Sequence, residues 1–178
     1  MKLNRWLVWL SRIHRCRGFG IQSPTDYAFV RYVVNEHWPY YAYDELHEGD
    51  WLRKKLGRLY LRLANWRQPA TVLSDDYQQW FHAGCHQSII LPLTSDIRHQ
   101  TSDIELARIT IDQWNSFEPL LPGCNQQTVL VVEDIWRDPQ QWCEIVCHPQ
   151  TGTTFNLYYC GIVFFDTKRY QHHYTINF

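Results

Sequence analysis

Residues 71–80 read TVLSDDYQQW, which predicts a short strand, a turn and the start of a helix. No glycine occurs between Gly57 and Gly84, so every residue of this turn carries a Cβ. A loop that brings its backbone close to a nucleotide needs residues without one. Ser74, Asp75 and Asp76 supply side-chain bulk and two negative charges instead. The turn therefore lacks the composition of a nucleotide-binding loop.

Strands and helices are predicted to alternate from this turn to the end of the chain. Apolar and β-branched runs indicate strands at residues 71–73, 88–93, 128–132, 153–165 and 172–178. Helices are expected at residues 77–82, 103–118 and 138–147, the last with Asp138 as its N-cap. Lys168 and Arg169 are expected to turn the chain into the final strand. This pattern predicts a three-layer α/β/α fold with one antiparallel strand.

The preceding third of the chain is predicted to be helical, with helices at residues 2–15, 23–36 and 50–66. In the first, Trp6, Leu7, Leu10 and Ile13 recur at helical spacing. Such a helix can lie on a membrane surface, but we favour packing on the domain or on a second subunit. The second and third begin at the N-caps Ser23 and Asp50. We therefore divide the chain into a helical extension, residues 1–67, and an α/β core, residues 68–178, within one globular unit.

Composition favours one folded cytoplasmic domain. The chain has 178 residues with 45% apolar content, which is enough for a substantial core. Its six cysteines show no disulfide framework, which predicts reduced thiols. The apolar run at residues 6–10 is too short for a signal peptide, and no run is long enough to span a bilayer.

Charge is distributed unevenly along the chain. Twelve of the 17 basic residues but only six of the 18 acidic residues fall in residues 1–67. Two interpretations remain open, namely attraction between two layers of one domain and a basic face for an acidic partner. The predicted helix at residues 50–66 carries much of this charge, which makes a nucleic-acid-binding module one hypothesis for the protein.

Six stretches of the chain carry a resemblance to a known family. They are GFGIQSP at residues 18–24, PYYAY at 39–43, GRLYLRLANW at 57–66, EPLLP at 118–122, VLVVEDI at 129–135 and LYYCGIVFF at 157–165. In this order they resemble class I S-adenosylmethionine (SAM)-dependent methyltransferases, in particular a bacterial subgroup with a helical N-terminal extension, whose "HGxHSPF" motif is similar to GFGIQSP. The resemblance implies a Rossmann-like sheet in which residues 71–73 are strand one.

The resemblance also implies that this chain is a shortened, degenerate member of the family. Ser74, Asp75 and Asp76 stand where the family has the acidic, glycine-rich loop that holds SAM. If residues 88–93 are strand four, then strands two and three are missing. The family order 3-2-1-4-5-7-6 is then reduced to about five strands, 1-4-5-7-6, with strand one at an edge. Residues 88–93 could instead be strand two.

A metal site is a further implication of the resemblance. Glu133 and Asp134 follow the predicted central strand, where metal-dependent O-methyltransferases carry magnesium ligands. Asp96 would be a third oxygen ligand. Divalent cations such as Mg²⁺ prefer several oxygen ligands. The alternative is that Asp134 orients the loop that follows.

Three hypotheses for function remain. The first is a methyltransferase-like pseudoenzyme that binds no SAM and acts through protein contacts, either with a partner or as a homodimer. The second is an active SAM-dependent, possibly metal-dependent, methyltransferase of unknown substrate. The third is the nucleic-acid-binding module described above.

Overall fold

The computed structural model describes residues 5–16, 18–93, 104–166 and 171–178, and it shows one seven-stranded mixed sheet in the order β2-β1-β3-β4-β6-β5-β7. The strands are β1 Thr71–Leu73, β2 Ile89–Leu91, β3 Ile104–Thr110, β4 Cys124–Glu133, β5 Thr154–Asn156, β6 Cys160–Phe164 and β7 His173–Thr175. Strand β6 runs antiparallel to both of its neighbours, and the other neighbouring pairs are parallel. The predicted α/β class is confirmed.

The helices are α1 Arg5–Ser11, α2 Pro24–Phe29, α3 Ala42–Glu45, α4 Trp51–Arg67, α5 Gln78–Gly84, α6 Trp114–Phe117 and α7 Pro139–Cys147. A π-helical turn, Val30–Val34, continues α2. The predicted N-caps are confirmed, because the side chains of Ser23, Asp50 and Asp138 accept hydrogen bonds from backbone N–H groups of the first turns of α2, α4 and α7.

Two apolar clusters cover the two faces of the sheet. Helices α2, α4 and α5 pack on one face, against residues such as Leu106 and Val131. Helices α6 and α7 pack on the other, against residues such as Ala107 and Leu130. Neighbouring residues of β3 and β4 point to opposite faces of the sheet. Because helices cover both faces, both strands are buried along most of their length.

The prediction of a helix at residues 103–118 was wrong. Residues 104–110 form the central strand β3, and only short helical turns and α6 follow it. The spacing of Ile104, Ile111 and Trp114 resembles one helix face, but Leu106, Ala107 and Ile109 are fully buried as well. Such burial on both faces is the pattern of a central strand.

The predicted five-strand order 1-4-5-7-6 was also wrong, because the sheet has seven strands. Residues 88–93 contain the edge strand β2, which pairs with β1 in parallel register, so β1 is not an edge. The predicted strand at residues 153–165 is a hairpin of β5 and β6, and Tyr158 at its turn has a φ of 75°. Lys168 and Arg169 lie outside the described residues.

The apolar stripe of the first helix faces outward. Leu7, Leu10 and Ile13 are 61%, 54% and 48% exposed, whereas Val8 is the buried residue of α1. The expectation that Trp6, Leu7, Leu10 and Ile13 pack on their own domain is therefore not met. An outward apolar stripe leaves a surface for another molecule.

Candidate functional site at the carboxyl edge of the sheet

The loop after β1 forms a tight turn held by a buried serine. The Ser74 hydroxyl donates to the backbone oxygen of Asp76 at 2.6 Å and accepts from the Asp76 N–H at 3.3 Å. Tyr77 then adopts the left-handed region with a φ of 60°, which is rare for a residue with a large side chain. This conformation places the Tyr77 side chain in the protein interior, where it is 5% exposed.

Both predicted loop carboxylates are engaged with other parts of the protein. Asp75 accepts hydrogen bonds from the Leu93 N–H at 2.8 Å and from Nε2 of Gln113 at 2.9 Å. Asp76 accepts two from the Arg53 guanidinium, at 2.8 and 3.0 Å, and these hold its pKa below the ordinary value. The two carboxylates tie the loop to the segments after β2 and β3 and to α4.

The ring of Tyr77 lies among aromatic and cationic groups. Its centroid is 4.8 Å from that of Tyr60 in α4. The guanidinium carbons of Arg53 and Arg108 lie 4.6 and 5.5 Å from the ring centroid. Burial raises the pKa of Tyr77, and Glu133 raises it further, so the phenol stays neutral.

Glu133, at the end of β4, forms a buried ion pair with Arg108 of β3. Nε and Nη2 of Arg108 each donate to one carboxylate oxygen at 2.8 Å, and the Tyr60 hydroxyl donates to the same carboxylate. Burial alone would lower the pKa of Arg108, but its hydrogen bonds and charge interaction with Glu133 raise it above the ordinary value. Burial, together with Glu133, raises the pKa of Tyr60. All three side chains are nearly inaccessible to solvent.

Asp134 differs from Glu133 in its surroundings. It has a φ of 61°, and its carboxylate lies 3.3 Å from the Arg137 guanidinium. Burial raises its pKa above the ordinary value. It remains the more available of the two candidate metal ligands, because both oxygens of Glu133 already accept hydrogen bonds.

The structure describes only two of the three predicted magnesium ligands. Asp96 lies outside the described residues, and those residues contain no group of three His, Cys, Asp or Glu side chains that could hold a metal ion. Because the third ligand is not described, the magnesium site stays a prediction.

Two of the basic residues predicted for α4, Arg53 and Arg62, are engaged within the protein. Arg53 pairs with Asp76 and Glu48, and buried Arg62 donates to the backbone oxygens of Val33 and Val34 at 2.7 and 2.9 Å.

Among the described residues, no helix has the length and apolar character needed to cross a membrane.

Sequence reasoning missed Tyr60, Tyr77 and Arg108 as members of this site. A usable indication was present for one of them, since Arg108 is the only cation in the run 104–109. A cation within a strand buried on both faces requires a buried anion nearby. The prediction of a helix at residues 103–118 excluded this inference.

Comparisons of the chain with protein-family models, with curated proteins and with solved structures found no match.

Proposed function

We propose that this protein is a methyltransferase-like α/β protein that binds no SAM and acts through contacts with other protein chains. The strand order supports the first part of the proposal. The order β2-β1-β3-β4-β6-β5 matches the 2-1-4-5-7-6 part of the methyltransferase order, with antiparallel β6 in the position of strand seven. Strand β2 then takes the position of strand two, and β7 is an additional edge strand.

The observation that carries the loss of SAM binding is the filling of the carboxyl edge by the protein's own side chains. A SAM site needs backbone that approaches the ligand closely, a free carboxylate for the ribose and an open slot. At this edge the Tyr77 ring and the Arg108–Glu133 pair are buried at the ends of β1, β3 and β4. Asp75 and Asp76 are already bonded to Gln113 and Arg53.

The simplest such protein contact is with a second copy of the same chain. Leu7, Leu10 and Ile13 present an outward apolar stripe on α1 and the turn after it. A separate exposed apolar group lies at the opposite edge of the sheet, where Ile89 of the edge strand β2 is 63% exposed. Exposed apolar groups of this kind mark interaction surfaces in soluble proteins, and an unpaired strand edge can pair with another chain.

Sedimentation velocity over a range of concentrations tests this contact. We expect the wild type to form a dimer, and the double variant Leu7→Asp/Leu10→Asp to remain monomeric because charge on the stripe opposes burial. The matched control, Tyr32→Asp/Tyr41→Asp, alters two exposed aromatic residues that are not part of the α1 stripe, and it should dimerise normally. A wild type that is monomeric at every concentration contradicts the homodimer.

A further inference from the structure

A second region of the protein has the features of a ligand-binding site. A cavity of about 670 Å³ lies between the first half of α4 and residues 34–44, and Phe178 forms part of its wall. This volume is within the usual range for small-molecule sites. None of the predicted carboxyl-edge residues lines it, so it is distinct from the site described above.

The cavity has an excess of positive charge. Lys54, Lys55, Arg58 and Arg62 line it, and Glu36 and Asp44 are the only acidic residues among the described residues of its wall. Within the described part of the chain, none of these four cations forms an ion pair with a carboxylate. Backbone oxygens accept hydrogen bonds from Arg62. Lys54, Lys55 and Arg58 are therefore the cavity cations that an anion would compensate.

Two buried hydrogen-bond donors add to this imbalance. Nε of Arg58 and Nδ2 of Asn35 are both buried, and neither has an acceptor among the described residues. Both residues line the cavity. Buried donors in folded proteins are nearly always paired, so this region has more hydrogen-bond donors than acceptors.

Aromatic rings form much of the remaining wall. The Lys55 ammonium lies 5.4 Å from the ring centroid of Trp51 and 4.4 Å from that of Phe178. Arg58 lies 4.5 Å from the ring centroid of Tyr43. Burial, together with Arg62, lowers the pKa of Lys55 to about 8, so a bound anion would stabilise the charged form of this side chain.

We propose that this cavity binds a small aromatic anion of mononucleotide size. Its phosphate or carboxylate group contacts Lys54, Lys55 and Arg58, and its ring stacks on the aromatic wall. A charged oxygen group accepts hydrogen bonds from these cations, and the opposite charges strengthen those bonds. The inference does not rest on the loss of SAM binding, since the two sites share no predicted residue.

Calorimetric titration with three matched probes tests the proposal, namely 1-naphthyl phosphate, 1-naphthoate and uncharged 1-naphthol. We expect at least one of the two anions to bind in the micromolar range, and 1-naphthol to bind at least about tenfold more weakly. The two anions distinguish a phosphate site from a carboxylate site.

Two variants locate the binding. Lys55→Met and Arg58→Gln each remove one cation, and each should weaken binding of the anion about tenfold or more while leaving 1-naphthol unchanged. Arg137→Gln, which removes an exposed cation outside the cavity, should have no effect. Circular dichroism confirms that each variant is folded.

A third variant keeps the test decisive if removal of a buried cation unfolds the protein. Trp38 lines the cavity but is 73% exposed, so Trp38→Ser should leave the fold intact and weaken binding by removing a stacking surface. The proposal is overturned if neither anion binds at millimolar concentration, if 1-naphthol binds equally well, or if affinity is unchanged in every folded cavity variant.

Discussion

Arg108 and Glu133 form two parallel hydrogen bonds of 2.8 Å across neighbouring strands, at the point where β3 and β4 end. Glu133 is paired in register with Thr110, so Arg108 is its diagonal neighbour on the same face of the sheet. Tyr60 adds a third hydrogen bond from α4. The strand ends are thus joined to the helical layer by a buried polar network.

This ion pair should be important for stability in an asymmetric way. Arg108→Met leaves the Glu133 carboxylate buried without its cation, and we expect it to lower the free energy of unfolding by about 3–5 kcal/mol. The double variant Arg108→Met/Glu133→Leu should lose much less, because no uncompensated charge remains. Urea denaturation measures both values.

The exposed pair Arg137–Asp134 provides the control for that experiment. Arg137→Met should change the free energy of unfolding by at most about 1 kcal/mol, because exposed ion pairs contribute little. Equal losses for Arg108→Met and for the double variant would contradict the proposed role of the buried charge.

At position 77, a glycine variant should be more stable than an alanine variant. Both Tyr77→Ala and Tyr77→Gly remove a buried ring and destabilise the protein. Glycine adopts the left-handed conformation at 60° freely, whereas alanine does so at a cost of about 1–2 kcal/mol. We therefore expect Tyr77→Gly to be the more stable variant, as measured by thermal and urea unfolding. A more stable Tyr77→Ala would show that the loop changes conformation.

The buried phenols should make stability fall in alkaline solution. Burial raises the pKa of Tyr60 and of Tyr77 above the ordinary value of about 10. The folded state therefore keeps protons that the unfolded chain releases, so their contribution is complete below about pH 10 and is lost as the pH rises above it. Absorbance of tyrosinate during an alkaline titration, with circular dichroism as the monitor of folding, measures this effect.

The titration should separate the eleven tyrosines into classes. Tyr40 and Tyr174, each with its pKa raised to about 12 by burial and by a neighbouring carboxylate, should ionise late. Tyr60 should ionise only on unfolding, and Tyr60→Phe should remove one phenol from that last class. Ionisation of all eleven near pH 10 in folded protein would contradict the buried network.

Gly57 should resist substitution although it lies in the middle of α4. Alanine normally stabilises a helix interior by about 1 kcal/mol relative to glycine. Here the added Cβ would overlap the indole of buried Trp80 in α5, so Gly57→Ala should instead destabilise the protein by about 1–3 kcal/mol. Gly49→Ala is the control, because its Cβ would meet nothing within 4 Å. A stabilised Gly57→Ala would show that α4 and α5 pack less closely.

Local signals were sufficient for the helix caps and for two central elements. Asp50 and the leucine spacing that follows it predicted α4, and the β-branched run before Glu133 predicted the second half of β4. These features depend on side chains a few residues apart, so the sequence displays them directly. The α/β class followed from their alternation.

The carboxyl-edge site depended on contacts that no local pattern displays. Tyr60 and Glu133 are 73 positions apart, and Arg108 and Glu133 are 25 apart. The spacing of Ile104, Ile111 and Trp114 predicted a helix where β3 lies, so Arg108 was not recognised as the partner of Glu133. The turn after β1 was located correctly, but the inward position of Tyr77 follows from a backbone conformation that is rare for tyrosine.

Calorimetric titration of the wild type with SAM and its demethylated product, with and without Mg²⁺, tests the central claim most directly. We predict no binding at millimolar ligand under either condition, because Tyr77 and the Arg108–Glu133 pair fill the carboxyl edge. The Arg58→Gln variant serves as a control for binding in the cationic cavity. Micromolar binding that is unchanged by Arg58→Gln would contradict the account and make residues 74–77 a cofactor-binding loop.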